Sequence, residues 1–409
     1  MDREAFAALQ GDEGQALLAA LKDYRPEDEL AAATRLRRAH PPELVSAALA
    51  QARLRQRAVA KFGAQDAARM YFTPDGLEQS TRAGVAAYRA ARFAGGGAEP
   101  GVRELADLCC GIGGDAIALA RAGVRVLAVD RDPLTCDVAR ANAAALGLAD
   151  RIEVRCQDVG DADVSGYDAV FVDPARRGGR GRIFDPEAYS PPLSWAVEVA
   201  RRVSRAALKV APGIPHEAVP HDAGAEWISM GGEVKEAVLW FGEGTGAPTG
   251  SGTEIPPVRA TLLPGPHTLP SRGLPDPPAG PVGRYLYEPD GAVVRAHLVA
   301  EVAEQLGGRL IDPTIAYVTS DEAHVTPYAT GYGITDVLPF NLKRLRALLR
   351  DRGVGVATIK KRGSAVEPSE LRKKLRLEGP GSCTVFLTRV AGAPTMLLGH
   401  PLGTRAPVG

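Results

Sequence analysis

Between Glu104 and Asp115 the chain reads Glu-Leu-Ala-Asp-Leu-Cys-Cys-Gly-Ile-Gly-Gly-Asp, and fifteen residues later an apolar run ends in Val129-Asp130. Leu105 to Leu108 has the apolar density of a buried strand end. Gly111, Gly113 and Gly114 then call for a tight turn, and Ala116 to Arg121 opens an apolar helix. A strand, a glycine turn and a helix in that order lead to a parallel sheet wound with helices. The turn also lets a ligand approach backbone that no side chain shields. Val124-Arg-Val-Leu-Ala-Val129 is the next strand, and the Asp130 carboxylate at its end is placed to accept hydrogen bonds from both hydroxyls of a ribose.

The spacing of the glycines narrows the choice of nucleoside. A dinucleotide turn has the order G-x-G-x-x-G, with the helix N-terminus free to hold a pyrophosphate. Here the order is Asp107-x-x-x-Gly111-x-Gly113-Gly114-Asp115, with an acid on each side of the turn. Asp107 and Asp115 would repel a diphosphate and attract a sulfonium cation that carries an α-ammonium group. S-adenosylmethionine has that charge pattern. NAD is the alternative that the glycines alone leave open, because a lone glycine pattern is weak.

Downstream, Ile152 to Asp158 is a third strand ending in an acid suited to an adenine amino group. Tyr167 to Asp173 is a fourth, running into Asp173-Pro174-Ala175-Arg176-Arg177. Helical segments at Ala116 to Ala122, Pro133 to Leu146 and Leu193 to Val203 alternate with them, as in a parallel sheet covered on both faces. Ala207 to Val210 is a fifth strand, and Glu236 to Phe241 with Val258 to Leu263 is expected to close the sheet as an antiparallel hairpin. Ligands in such sheets sit beyond the carboxyl ends of the strands, where these acids fall.

On these motifs, residues from about 70 to 263 resemble a class I S-adenosylmethionine-dependent methyltransferase, an α/β, Rossmann-like fold with a seven-stranded sheet. Asp107-Leu-Cys-Cys-Gly-Ile-Gly-Gly114 and Val129-Asp-Arg-Asp-Pro133 are similar to the trimethylguanosine synthase type, which has D-x-x-C-G-x-G-G followed by I-D-x-D-P. The resemblance implies that Asp107, Gly111 and Gly113 line the methionine moiety beside Asp115, that Asp130 holds the ribose, and that Asp158 faces the adenine. Met70 to Thr81 resembles the segment that precedes the core in related methyltransferases, which implies a lid with Tyr71, Phe72 and Thr73 near the cofactor.

The likeness changes where substrate should be read. Enzymes that methylate amino groups carry an acid or amide, Pro-Pro and an aromatic; here Asp173-Pro174-Ala175-Arg176 keeps the acid and first proline but has no aromatic. Cap-guanosine specificity is therefore not implied. Asp173, Pro174 and Arg176 are the candidate catalytic residues, with Asp173 orienting an amine; as an alternative, Asp173 merely caps its loop and pairs with Arg176. Ser190 before Pro191-Pro192-Leu193 reads as a helix N-cap. Asp-Pro-x-Arg endings also resemble those of enzymes that make 5-methyluridine in RNA, but such enzymes need a cysteine thiolate. No cysteine lies between Cys156 and Cys383, which turns the expectation toward transfer to nitrogen.

A chain of 409 residues exceeds what one core organises. Residues 1–94 read as a helical region, 95–264 as the catalytic domain, 265–282 as a Gly/Pro-rich linker and 283–409 as an α+β module. The arginines of Pro26 to Lys61 fit a solvated helix face or phosphate contacts. In the last region Val293 to Leu306 and Asn341 to Arg352 read as helices, with strands at Ala316 to Thr319, Val354 to Lys360 and Ser382 to Val390. Lys plus Arg equals Asp plus Glu at 49 each, so any field for nucleic acid must be local. Residues 341–376 supply one, with twelve Lys or Arg against three Asp or Glu, and Lys360, Lys361 and Arg362 are its candidate RNA contacts. The module resembles the THUMP-like domains of some bacterial methyltransferases, which implies delivery of tRNA or rRNA. A solvated basic face or a dock for an acidic protein is the other reading. Five irregularly spaced cysteines give neither a disulfide framework nor a metal site, and no signal peptide or spanning apolar run is present, which suits a cytoplasmic enzyme without metal. A protein or small-molecule methyltransferase and a non-catalytic RNA-binding protein are the alternatives to an RNA methyltransferase; nothing in the sequence indicates oligomeric state.

Overall fold

The computed structural model describes residues 1–95, 101–175, 177–178, 181–182, 185–242 and 257–403. The chain divides into two compact units, Met1–Ala225 with Glu236–Pro256, and Glu226–Lys235 with Pro257–Gly409. In the first unit, α1 (Arg3–Gln10), α2 (Asp12–Ala20) and α3 (Glu29–Leu36) pack on α4 (Pro42–Arg69), a long helix kinked at Gly63. There the backbone turns to φ +77°, which glycine adopts without a Cβ penalty. Next come α5 (Pro74–Gln79) and α6 (Ala83–Ala94). Thr73 caps α5 by accepting from the Gly76 amide at 3.0 Å, with Pro74 at the first helical position. Lys61 of α4 donates to the carbonyls of Leu77, Glu78 and Ser80 at 2.7, 2.7 and 2.8 Å, satisfying the far end of the same helix.

The extended stretch Met70 to Thr73 is bolted in place by two buried amides. Gln51 donates to the Phe72 carbonyl at 2.6 Å and accepts from the Phe72 amide at 3.0 Å. Asn142 accepts from the Tyr71 amide at 2.7 Å and donates to the carbonyls of Tyr71 and Ile112 at 3.1 and 2.9 Å. These side chains substitute for the sheet or helix partners that buried backbone requires.

Five strands of the first unit run parallel: β1 (Glu104–Leu108), β2 (Arg125–Asp130), β3 (Ile152–Cys156), β4 (Ala169–Val172) and, later in the chain, β7 (Arg205–Val210). β1 lies between β2 and β4, so the winding reverses at β1, and ligands of such sheets bind at the crevice this creates. α7 (Gly114–Arg121) and α8 (Pro133–Ala145) make the first crossovers, α8 capped by Asp132 accepting from Thr135 N at 2.7 Å. A short ribbon, β5 (Arg177–Gly178) with β6 (Gly181–Arg182), and α9 (Leu193–Ala200) precede β7. Ser190 does not cap α9, contrary to expectation. Pro192 occupies the cap position, while the Ser190 backbone exchanges bonds with Ala175 at 2.9 and 3.1 Å, and Glu187 takes the Ser194 amide and hydroxyl.

β8 (Gly224–Met230) gave no signal in the sequence reading, and β9 (Glu233–Gly242) pairs antiparallel with β7, Lys209 opposite Val238. The expected hairpin of Glu236–Phe241 with Val258–Leu263 is replaced: β10 (Val258–Leu263) instead pairs with β11 (His267–Pro270), inside the Gly/Pro-rich stretch read as a linker. Alternating burial at Leu269 makes that stretch a strand despite its prolines, which stand at its ends.

The second unit holds a seven-stranded sheet in the order β13 (Arg309–Asp312), β14 (Ile315–Ser320), β12 (Tyr285–Pro289), β15 (Ala329–Pro339), β18 (Ala393–Pro401), β17 (Gly381–Val390), β16 (Val354–Lys361). The helix expected over Val293–Leu306 is two, α10 (Gly291–Arg295) and α11 (Val299–Gln305). They are broken where His297 takes φ +58° and the Leu298 amide bonds back to Val293, a helix stop made without glycine or proline. α12 (Leu342–Asp351) and α13 (Pro368–Leu375) cover one face, burying Leu345, Leu349, Leu371 and Leu375 against Ile359, Val385, Leu387 and Met396. Among the described residues no helix is long and apolar enough to cross a membrane.

The Gln51 clamp can be measured. Gln51→Leu keeps the volume but strands a buried N–H and a buried carbonyl on Phe72, which should cost about 2–4 kcal/mol in urea unfolding. A loss below about 1 kcal/mol would mean the strap is held by packing alone.

Candidate active site

The glycine turn between β1 and α7 opens onto a cavity of about 530 Å³. Gly111, at φ +53°, points its missing Cβ into that open space, so any side chain would stand where a ligand must lie. Gly76 on α5 is needed for a different reason, since a Cβ there would sit 2.3 Å from the Ile112 side chain. The α5 N-terminus can thus close over the turn, and Phe72, Thr73 and Gly76 share the cavity wall with Gly111, Ile112 and Gly114.

Carboxylates define the remaining wall: Asp115, Asp130, Asp132 and Asp173 all line it. Asp130 at the end of β2 accepts from the Gly111 amide at 3.1 Å and the Asp132 amide at 3.0 Å, fixing the turn and retaining acceptor capacity toward the cavity. Behind them runs a buried relay. Arg89 on α6 is 2% exposed, donates to Asp115 and Glu236, and lies 4.4 Å over the Phe171 ring. Thr81 donates to Asp115 at 2.9 Å and accepts from Lys209 at 3.0 Å, and Lys209 pairs with Asp173 at 2.6 Å. Burial works to lower the Arg89 pKa, but Glu236, Asp115 and Asp173 outweigh it and raise the value. Burial likewise raises Glu236, against the pull of Arg89 and Lys209.

Asp107 behaves differently. It is fully buried beneath the turn, does not line the cavity, and neither carboxylate oxygen has a partner among the described residues. Burial, then the charges of Asp115 and Asp173, push its pKa well above the carboxylate range, with Arg89 opposing. The neighbouring Cys109 and Cys110 thiols are pushed up by burial too, which leaves them poor nucleophiles.

Of the cofactor candidates, Thr73, Gly111, Asp115 and Asp130 thus line one cavity together with Asp173. Asp158 lies in an adjoining cavity of about 240 Å³ that also includes Asp130, Cys109 and Ser190. Gly113, at φ +85°, makes the turn into α7 rather than the wall. Pro174 is buried just after Asp173, and Arg176 lies outside the described residues. In the second unit Lys360 pairs with Glu288 and Lys361 with Glu367, while Arg362 donates to the Ala316 carbonyl at 3.3 Å and stacks 5.0 Å over Tyr317. Arg89, Thr81, Lys209 and Glu236 escaped the sequence reading. The available signal was a charge at a core position of an apolar strand, in Ala207-Leu-Lys-Val210 and in Glu236-Ala-Val-Leu-Trp-Phe241.

Family models match residues 105–175 as a methyltransferase domain, 329–401 as THUMP domain-like and 2–58 as a domain of unknown function. An uncharacterized S-adenosylmethionine-dependent methyltransferase of Mycobacterium tuberculosis is 35% identical over 347 residues, covering 82% of this chain and 90% of that protein. The chain belongs to the S-adenosylmethionine-dependent methyltransferases. The crystal structure of a proposed methyltransferase from Porphyromonas gingivalis W83 covers 98% of this methyltransferase and 100% of its own chain, with a TM-score of 0.78 and 24% identity, a likeness of fold. The 23S rRNA (uracil(1939)-C(5))-methyltransferase RlmD of Acidithiobacillus ferrooxidans is 34% identical over 86 residues, 20% of this chain and 19% of that enzyme. S-adenosylmethionine is the cofactor of this methyltransferase. The acid-rich wall and the bare backbone at Gly111 suit a cationic ligand.

The raised pKa of Asp107 predicts a pH signature. Its folded value exceeds its unfolded one, so the protonated carboxyl stabilises the fold fully below the ordinary carboxylate range. That contribution is lost as pH rises toward the folded value. Asp107→Asn stays neutral throughout. Its stability advantage over wild type should therefore grow with pH across that window, by up to about 1.4 kcal/mol per pH unit. Urea midpoints of the cofactor-free protein at pH 5 and 7 would show it, and a constant difference would mean Asp107 is not sealed from water.

Proposed function

We propose that this methyltransferase acts on a nitrogen of a base in tRNA or rRNA, with Asp173 accepting the hydrogen bonds of the amine. The observation that supports this most is the setting of Asp173. It ends β4 on the cavity wall, its Oδ2 is held by Lys209, and Oδ1 has no partner among the described residues. The buried Pro174 and the backbone bonds between Ala175 and Ser190 fix the loop behind it. Asp130 would take the ribose hydroxyls, Gly111 would lie along the methionine moiety, and Asp158 would reach the adenine. S-adenosylmethionine supplies the methyl group when bound. The chain's contribution is orientation, since a departing thioether needs no proton.

Two observations support RNA as the substrate class: the partial match to a 23S rRNA methyltransferase and the THUMP-like match over residues 329–401. A thiolate route to a pyrimidine carbon lacks its nucleophile, because no cysteine lies between Cys156 and Cys383 and burial raises the Cys109 and Cys110 thiols. In the THUMP-like region we assign the phosphate contacts first to exposed cations of α12 and α13, namely Lys343, Arg344, Arg350, Arg372 and Lys374. Lys360, Lys361 and Arg362 already have intramolecular partners and would have to surrender them.

Asp130→Ala should weaken S-adenosylmethionine binding by about 2–3 kcal/mol in calorimetry, the value of hydrogen bonds to a charged acceptor. Asp173→Asn should instead lower kcat and leave cofactor affinity unchanged, the pattern of an interaction made in the transition state. The substrate class is tested by mass analysis of nucleosides from cells with and without the gene. One methylated nucleoside should vanish, and an unchanged RNA profile would transfer the reading to protein or small-molecule substrates.

Electrophoretic titrations at several salt concentrations test the RNA surface. Replacing the five helix cations with Ala should flatten the salt dependence by about one unit for each phosphate that is no longer neutralised. Ala at Lys360, Lys361 and Arg362 should flatten it less. The reverse ranking would return the phosphate-binding role to the edge strand.

A further inference from the structure

The strap Met70 to Thr73 borders two cavities. Phe72 and Thr73 line the cofactor cavity, whereas Tyr71 lines another of about 540 Å³ among α2, α4 and the end of α8. Leu18, Leu21, Ala52, Ala64, Ala68 and Ala145 give it apolar walls, Ala64 and Ala68 from exposed positions. Lys22, Arg55 and Arg69 also line it, and among the described residues no carboxylate does.

Arg55 is the telling residue. Its half-buried guanidinium donates Nε to the Met70 carbonyl at 3.0 Å and Nη2 to the Arg69 carbonyl at 3.5 Å, and it lies 5.2 Å over the Tyr71 ring. Among the described residues it has no carboxylate partner. Arg89 and Lys209, the buried cations of the same unit, are both paired with carboxylates. Burial pushes the Arg55 pKa below the ordinary arginine value, with only Tyr71 opposing, as expected for a partly desolvated cation without a counter-charge. An anion is the missing partner.

The amides indicate what the anion carries. Gln15 commits its NH₂ to the Leu9 carbonyl at 2.8 Å and the Tyr71 hydroxyl at 2.9 Å, and Gln56 commits its NH₂ to the Tyr24 carbonyl. Both residues are exposed and line the cavity, and each keeps its carbonyl oxygen as free acceptor capacity. Inorganic phosphate would leave the apolar walls unfilled, and an aliphatic anion would leave the two exposed amide oxygens to water. A planar heterocycle bearing N–H donors and joined to a phosphate meets the cations, the apolar walls and the two oxygens at once.

We propose that this cavity is a second ligand site that takes a nucleoside monophosphate, with the phosphate on Arg55, Lys22 and Arg69 and the base between the alanine-lined walls. The unit is either a free nucleotide or one nucleotide of a strand.

Calorimetry on the full chain, saturated with S-adenosylhomocysteine to keep adenosine probes out of the cofactor cavity, tests this. The probes are AMP, GMP, CMP and UMP, each compared with its nucleoside. At least one monophosphate should bind, and its nucleoside should bind about tenfold or more weakly, as befits a charge-assisted contact. Arg55→Gln should weaken the monophosphate by a similar factor. Ala68→Trp, which fills the cavity at an exposed helix position and leaves every cation in place, should abolish binding while S-adenosylhomocysteine affinity is retained. A short unstructured RNA added as competitor separates the sources: displacement that Ala68→Trp abolishes assigns a nucleotide of a strand, and no displacement assigns a free nucleotide. The proposal is overturned if no monophosphate binds at millimolar concentration, or if Ala68→Trp leaves binding unchanged.

Discussion

One buried guanidinium holds the catalytic unit together. Arg89 reaches from α6 to Asp115 at the start of α7 and to Glu236 on β9, with its flat face on Phe171 of β4. It joins the N-terminal helices, the glycine turn and the antiparallel strand β9 at one point. Two carboxylates satisfy it, so the desolvation of three charges is largely offset, whereas loss of the arginine alone would leave Asp115 and Glu236 buried with no counter-ion. Breaking a buried pair from one side costs about 3–5 kcal/mol. The placement of Asp115 on the wall of the glycine-turn cavity therefore depends on a residue from a helix that precedes the methyltransferase core in the chain.

The relay from Glu236 through Arg89, Asp115, Thr81 and Lys209 to Asp173 has one more acid than base when all its charged members are ionised. The surplus faces the cavity, since Asp115 and Asp173 line it and Asp130 adds to it. Asp107, sealed beneath, has its pKa raised by burial and by these charges. A fold optimised for stability alone would not concentrate acids in this way. The arrangement costs stability in the free protein and favours a cationic ligand, a trade expected at functional sites.

How much of this was legible in the sequence follows from the range of each interaction. Elements defined by local chemistry read well: Asp132-Pro133 starts α8, the glycines of 111–114 make the turn, and Asp130 and Asp173 fall at strand ends. Long-range pairing did not read. Nothing local distinguishes a β10 that pairs with β11 from one that closes a hairpin with Glu236–Phe241, and β8 gave no separate signal. The split of α10 from α11 at His297 lacks the glycine that announces a helix stop. Basic clusters were legible as charge but not as free charge, because Glu288, which occupies Lys360, is remote in the sequence, and only the fold pairs the nearby Glu367 with Lys361. Lys209 and Glu236 stood in plain view as charges within apolar strands, and a strand read for exceptions to its pattern would have flagged both.

The strap Met70 to Thr73 gives the two cavities of this unit a common wall. Its backbone is held by Gln51 and Asn142 rather than by a strand or helix, and Asn142 also holds the Ile112 carbonyl of the glycine turn. A displacement at Tyr71 on one side therefore cannot occur without moving Phe72 on the other or breaking buried amide bonds, each costly to leave unmade. Such a wall transmits strain because its alternatives are discrete, bonded or broken, and packed interiors do not deform gradually. A ligand in the Arg55 cavity would touch the strap at Tyr71, one residue from Phe72 and Thr73 on the glycine-turn cavity, and any coupling between the two sites would by linkage be reciprocal.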